Sequence, residues 1–259
     1  MITLTSDFGV KDPYLAEMKG VILTINPKAT LIDITHNVEK FNVRMTAFML
    51  ASAAPYFPKG TVHLAVVDPE VGTQRRAILI QTKKSFFVGP DNGVLILAAQ
   101  NQDLEHIYQL TNQKFMLAKI SCTFHGRDIF APVAAHLDKG VEPAEFGPEI
   151  KDPIIPEFTI VKRAKSSLNG EVMHIDGFGD IITNINETDI SQNNPEKVNI
   201  DLPNISLKLK FGKTYAEAKP KTPIALIGSH GFLEIALNRG SASEKFRAKA
   251  GDKIIVTIA

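Results

Sequence analysis

Four groups of residues have types and spacings that could do chemistry. The first is Asp68-Pro-Glu-Val-Gly-Thr-Gln-Arg-Arg76, a carboxylate and two arginines held by turn-forming residues. Asp68 and Arg75 could orient and polarise a small oxygen species; the plain alternative is a solvated turn with surface arginines. The second is Thr123-Phe-His-Gly-Arg-Asp128. His125 next to Gly and Arg could hold or polarise a water, or could be a hydrogen-bonded structural histidine. The third is Ser6-Asp-Phe-Gly9 with Asp12. A carboxylate just after a first strand commonly takes ribose hydroxyls in α/β sheets, while the alternative is a turn at Asp7 and a helix cap at Asp12. The fourth is Asp176-Gly-Phe-Gly-Asp180, followed by Thr183-Asn184, Ser229-His-Gly-Phe232 and Asn238-Arg239. Its first five residues also suit a hairpin turn, with Gly supplying positive φ and Asp bonding the backbone.

The elements that must position these groups follow from hydrophobic periodicity. Thr61–Val67 and Ala77–Thr82 are short β-branched runs on either side of the Asp68–Arg76 loop, and both predict buried strands. The loop therefore falls at a sheet end, where open α/β sheets place ligands. Upstream, Ile2–Thr5 and Thr30–Thr35 predict strands, while Tyr14–Asn26 and Val43–Tyr56 carry helical spacing. Asp12 and Pro13 suit the start of the first helix, and Pro55 and Pro58 end the second. Phe86–Val88 predicts a strand, Gly89-Pro-Asp-Asn-Gly93 a turn, and Val94–Gln100 and Phe130–Lys139 helices. Alternating strands and helices predict an α/β domain over residues 1–150 with a largely parallel sheet. Three prolines at 148, 153 and 156 mark a linker over about 147–159. Beyond it, seven short runs separated by turn residues (170–175, 181–186, 198–202, 206–211, 224–227, 232–237 and 253–258) predict a small all-β domain, barrel or sandwich, over 160–259.

Composition removes several function classes. The 259 residues are 44% hydrophobic and 22% charged, with a net charge of +1. That balance leaves no electrostatic footprint for nucleic acid or an anionic membrane. No apolar run reaches the ~18 residues of a membrane span. One cysteine, Cys122, rules out an internal disulfide and a thiolate zinc cluster, so the cytoplasm is the expected compartment. Of the seven histidines, none pairs at a helical metal-ligand spacing, so neither metal nor cofactor is expected. Phosphate-binding and dinucleotide-binding glycine motifs are absent, as is Gly-x-Ser-x-Gly.

Six stretches, in order, resemble one family: Thr5-Ser-Asp-Phe-Gly9, Val67-Asp-Pro-Glu-Val-Gly-Thr-Gln-Arg75, Gly89-Pro-Asp-Asn-Gly-Val-Leu95, Thr123-Phe-His-Gly-Arg-Asp128, Ile175-Asp-Gly-Phe-Gly-Asp180 and Gly228-Ser-His-Gly-Phe-Leu233. They are similar to the S-adenosyl-L-methionine hydroxide adenosyltransferases, water-using relatives of the fluorinating and chlorinating enzymes. The resemblance implies an N-terminal α/β domain followed by a C-terminal β-barrel. It implies attack of water or hydroxide on ribose C5′ of S-adenosylmethionine, releasing adenosine and methionine. It also implies homotrimers with substrate between the N-terminal domain of one subunit and the C-terminal domain of the next. The family's hydrolytic set falls on Asp68, Arg75 and His125. Asp7, next to Phe8, matches the ribose-holding carboxylate, and Phe41 an aromatic packed near substrate. Asp12, Asp176, Ser229 and His230 match positions around the methionine amine and carboxylate. Phe178 and Asp180 match the region that meets adenine, and Asn238 completes the implied substrate set. Fluorinases carry Tyr in place of Asp68, Tyr-Ser in place of His125-Gly126, and an inserted loop after 77–82 that is missing here. Position 230 is His where the fluorinase has Arg. A binding protein without turnover and a halide-transferring enzyme are the competing expectations.

Overall fold

The computed structural model describes residues 1–190 and 195–258. The chain divides into two units, Met1–Pro156 and Glu157–Ala259.

In the first unit β1 (Ile2–Ser6) is buried along its whole length, as an inner strand covered on both faces must be. After it come α1 (Tyr14–Ile25), β2 (Leu31–Thr35), α2 (Val43–Ala53) and β3 (Val62–Val66), the last also fully buried. β4 (Ala77–Thr82), β5 (Phe86–Pro90), α3 (Ile96–Gln100), β6 (Leu104–Gln109) and α4 (Ala131–Asp138) complete it. The strands lie in the order β2-β1-β3-β5-β4-β6. β1 pairs in parallel with β2 and β3, and β3 with β5, while β4 is antiparallel to both β5 and β6. The sheet is thus parallel through β2, β1, β3 and β5 and antiparallel at β4, which a three-residue turn joins to β5.

Alternation decides what each face holds. Ile2 and Leu4 point with Val62, Leu64 and Val66 into a core closed by Met18 and Ile22 of α1 and Val133 of α4. Thr3 and His63 share the opposite face, with Thr3 Oγ1 2.8 Å from His63 Nδ1. Burial, helped by Lys84, lowers the His63 pKa to about 3, so this ring is a neutral core residue. The second helix is shorter than expected: α2 ends at Ala53, and Ala54–Tyr56 tighten into a 3-10 turn around Pro55.

The second unit contains β7 (Lys162–Arg163), β8 (Ser167–Ile175), β9 (Ile181–Asn186), α5 (Glu187–Ile190), β10 (Lys197–Leu202) and β11 (Ile205–Gly212). β12 (Pro223–Ile227), β13 (Phe232–Leu237), α6 (Ala242–Phe246) and β14 (Lys253–Ile258) follow. The order is β14-β10-β11-β12-β13-β9-β8-β7, and a further β14–β8 pairing closes the first seven into a barrel. Closure removes the exposed sheet edges that an open sheet would leave. Ile200, Ile235 and Val256 are among the residues that fill it. Among the described residues no helix is long and apolar enough to cross a membrane.

Candidate active site

β1, β3 and β5 are adjacent and parallel, so their carboxyl ends share one edge of the first unit. Asp7 follows β1, Asp68 lies two residues beyond β3, and Asp91 follows β5. Three carboxylate residues therefore follow strands that end at the sheet edge where α/β folds bind ligands.

Arg75 is the hub. Its Nε donates to Asp68 Oδ1 and Oδ2 at 3.0 and 2.9 Å, and its Nη2 donates to Oδ2 at 2.5 Å. Nη2 also lies 2.8 Å from His125 Nδ1. A guanidinium is always a donor, so Nδ1 must accept and the imidazole carries its proton on Nε2. Burial first, then the positive charge of Arg75, hold His125 below the usual histidine range, against the opposing pull of Asp68 and Asp128. The ring is neutral near pH 7. Only 3% of the Arg75 side chain and 6% of the Asp68 side chain are exposed, so the pair acts with little solvent screening. Phe130 backs the guanidinium at 5.2 Å from its ring centre.

Two loops must approach closely for these groups to meet. Gly72 makes this possible: a Cβ there would sit 2.2 Å from Cys122 O, and its φ of +81° suits glycine. His125 stands at the start of a π-helical turn, Gly126–Phe130, that runs into α4. Such turns are rare and concentrate at functional sites. Asp128, fully buried, pins this loop by accepting from Ser121 N at 2.7 Å and from Arg127 Nε at 2.7 Å. Arg127 also reaches Glu17 of α1 at 2.7 Å.

The Gly89–Gly93 turn proves to be a support that its sequence marked only as a turn. Asn92 Nδ2 donates to Val67 O at 2.9 Å, directly before Asp68. Asp91 accepts from Arg76 Nε at 2.8 Å and from Ile154 N at 2.9 Å. Asp91 and Asn92 thus fix both ends of the Asp68–Arg76 loop. Two acidic or amide residues after a strand were the available signal, but nothing local says which loop they hold.

Asp7 is buried, and its Oδ2 accepts from Phe41 N at 2.9 Å. Oδ1 takes no hydrogen bond among the described residues. Phe41 is exposed and has a φ of 65°. The Phe8 ring packs with Tyr14 and Phe124 at centroid distances of 5.8 and 5.7 Å, one residue from His125. Asp12 is exposed and does not cap α1: the N-cap is Pro13, with no side-chain cap.

The remaining residues belong to the second unit. Asp176 Oδ1 accepts from Phe178 N and Asp180 N, both at 2.9 Å, closing the β8–β9 turn, while the Phe178 ring projects into solvent, 82% exposed. Burial, together with Asp176 and Glu234, pushes Asp180 up to about 6. Glu234 is buried, accepts from Tyr215 Oη at 2.8 Å, and is itself raised chiefly by burial. It lies under Gly228, next to Ser229 and His230 in the β12–β13 turn. Asn238 stands at the other end of β13, where its amide donates to Ala218 O at 2.6 Å. Among the described residues no cluster of His, Cys, Asp and Glu is arranged to hold a metal ion.

Comparison with known proteins agrees along the whole chain. The SAM hydroxide adenosyltransferase N-terminal domain model matches residues 2–147, and the C-terminal domain model matches 170–255. The (R)-S-adenosyl-L-methionine hydrolase of Methanocaldococcus jannaschii is 36% identical over 266 residues, covering 98% of this chain and 94% of that protein. The fluorinase of Actinoplanes sp. matches at 27% identity over 294 residues, covering 99% of this chain and 97% of that one. A crystal structure of an uncharacterized conserved protein from Thermotoga maritima superposes with a TM-score of 0.88 at 38% identity, covering 99% of this chain and 100% of that one. With both domain models matched and more than 30% identity over nearly its full length, the chain belongs to the SAM hydroxide adenosyltransferase family.

Proposed function

We propose that this chain hydrolyses S-adenosyl-L-methionine to adenosine and L-methionine, by attack of water or hydroxide on ribose C5′. The observation that carries this reading is the Asp68–Arg75–His125 contact at the sheet edge. The substrate is a sulfonium, so its leaving group departs as a neutral thioether and needs no acid. A C5′–O bond forms, the C5′–S bond breaks with its electrons left on sulfur, and one proton leaves the water. The site has to align the oxygen opposite sulfur and stabilise hydroxide character. Arg75 supplies fixed positive charge, the His125 Nε2–H supplies a donor, and Asp68 holds the guanidinium in place and faces the proton that leaves.

Substrate recognition in this reading divides by position. Asp7 takes the ribose hydroxyls with Phe8 and Phe41 beside the sugar, and Asp12, Asp176, Ser229 and His230 receive the amino-acid end. Phe178 and Asp180 meet the adenine. Asn238, whose amide donates to Ala218 O, completes the substrate-binding set. A homotrimer, with substrate between the N-terminal domain of one subunit and the C-terminal domain of the next, belongs to the same proposal, as does the cytoplasmic location expected from a single cysteine. Hydrolase relatives are named for the (R) form, and we extend that preference to this chain.

The test is to incubate purified protein with each sulfonium isomer of S-adenosylmethionine and quantify products. Equal amounts of adenosine and methionine, formed faster from the (R) isomer, are expected. Tight binding without product would make the chain a binding protein. A 5′-halo-5′-deoxyadenosine formed on adding chloride or fluoride would make it a halide-transferring enzyme.

A further inference from the structure

Behind Asp7 runs a chain of polar side chains that the proposed reaction leaves unused. Ser6 Oγ lies 2.8 Å from His36 Nδ1, and both residues are at most 5% exposed. The same hydroxyl accepts from Phe8 N at 3.3 Å. The hydroxyl keeps a proton and a second lone pair for Nδ1, so this hydrogen bond forms with either tautomer of the ring. Nε2 lies 3.1 Å from Asp33 Oδ1, close but poorly aligned for a hydrogen bond. Asp33 Oδ2 in turn takes Lys19 Nζ at 2.7 Å, at the surface of α1.

This chain joins the two segments that shape Asp7. His36 O accepts from Gly9 N at 2.8 Å. Five residues on, Phe41 donates its N–H to Asp7 Oδ2 at 2.9 Å, and Lys40 Nζ bonds Asp7 O. Phe41 does so from a φ of 65°, a strained conformation for a bulky residue that persists only where neighbours enforce it. The Ser6–His36 bond ties residue 6 to residue 36, beside the Gly9–His36 and Phe41–Asp7 bonds, and so limits the distance over which the 36–41 segment must turn. The carboxylate is left with Oδ2 held and Oδ1 open.

We propose that Ser6 and His36 are positioning residues for ribose recognition. Through their hydrogen bond they aim the Asp7 carboxylate and set the preference for a ribose over a sugar lacking its hydroxyls. This rests on the reading of Asp7 as the ribose-holding group. Ser6 is too enclosed to act as a nucleophile, despite its histidine and aspartate partners.

Calorimetric titration with adenosine and with 2′,3′-dideoxyadenosine tests it, using the full-length protein. The readout is the ratio of the two dissociation constants, which a merely structural role would not move. In Ser6→Ala and His36→Leu this ratio should fall about tenfold, the equivalent of one misaligned charged hydrogen bond, while dideoxyadenosine binding changes little. His36→Asn, which keeps a polar group near the Nδ1 position, should recover most of the ratio. If His36→Leu does not fold, Ser6→Ala decides, since it deletes one oxygen. An unchanged ratio in Ser6→Ala, equal weakening of both nucleosides, or a wild-type protein without ribose preference overturns the inference. A wild type that prefers adenosine but does not turn over S-adenosylmethionine removes the hydrolase reading and leaves this one intact.

Discussion

Replacing Asp68 with alanine would leave a guanidinium buried without its counter-charge. Among the described residues Arg75 keeps His125 Nδ1, Arg76 O at 3.3 Å and the Phe130 face as partners. The three contacts to Asp68, at 2.5 to 3.0 Å, disappear together. Removing one member of a buried ion pair costs about 3–5 kcal/mol, because the surviving charge remains desolvated. At ~2–4 °C per kcal/mol for a chain of this size, the melting temperature should drop by roughly 6–20 °C. Asp68→Leu combined with Arg75→Met removes both charges and should recover stability to within ~1 kcal/mol of wild type. Turnover of S-adenosylmethionine should not recover: both variants should lose about 10²–10³-fold in kcat, the scale of a deleted charge-stabilising group. Calorimetry and a product assay on the single and double variants together separate the structural role from the chemical one. A single variant that loses under ~1 kcal/mol, or a double variant as unstable as the single, would refute the reasoning about a buried pair. A double variant with full turnover would remove both residues from the chemistry.

Two further outcomes follow from the titrating groups. Because burial and Arg75 hold His125 below 6.5, the imidazole stays neutral through pH 7, and protonation would put a proton on the nitrogen that accepts from Arg75. The acid limb of kcat/KM should therefore lie below pH 6.5 and vanish in His125→Gln; a limb above pH 7 would contradict this assignment. The same lowered pKa means that stability falls as pH drops from 6.5 through the folded value. Asp180, raised to about 6, has the opposite sign: its stabilisation is complete below the unfolded carboxyl range and is lost as pH rises through about 6. Asp180→Asn should thus gain about 1 kcal/mol over wild type between pH 4.5 and 7.5 in urea melts, after allowance for solvent screening. An equal or greater loss for the variant at pH 7.5 would sink that account.

Much of the fold was legible because local composition and tertiary demand agree. Thr61–Val67 and Ala77–Thr82 are β-branched runs that fill the inside of a sheet, and they become β3 and β4 with little change of bounds. β6 was not legible, because only Ile107 of Leu104–Gln109 is fully buried and an edge strand shows little alternation. The closed barrel was expected from the family resemblance, whereas the pairing that closes it, β14 with β8 (Lys253 opposite Glu171), has no local signal because its strands are remote in sequence. The π-helical turn at Gly126–Phe130 has no periodicity of its own and follows from packing against α1 and β5. In the site, Asp68, Arg75 and His125 could be named from residue type and family resemblance. That Arg75 bridges the other two, fixing the tautomer of the ring, is a fact of distance. The supports escaped for the same reason: Asp91, Asn92 and His36 act on segments remote in sequence. Asp12 shows the reverse, a residue whose helix-capping potential the fold leaves unused.

Incubation with the substrate in water enriched in heavy oxygen, followed by mass spectrometry of the products, tests the central claim most directly. Attack on C5′ predicts adenosine carrying the heavy oxygen at its 5′ position, with unlabelled methionine beside it. Adenosine without the label, or a label found on the amino-acid product, would contradict attack on ribose C5′ by a water held at Asp68, Arg75 and His125.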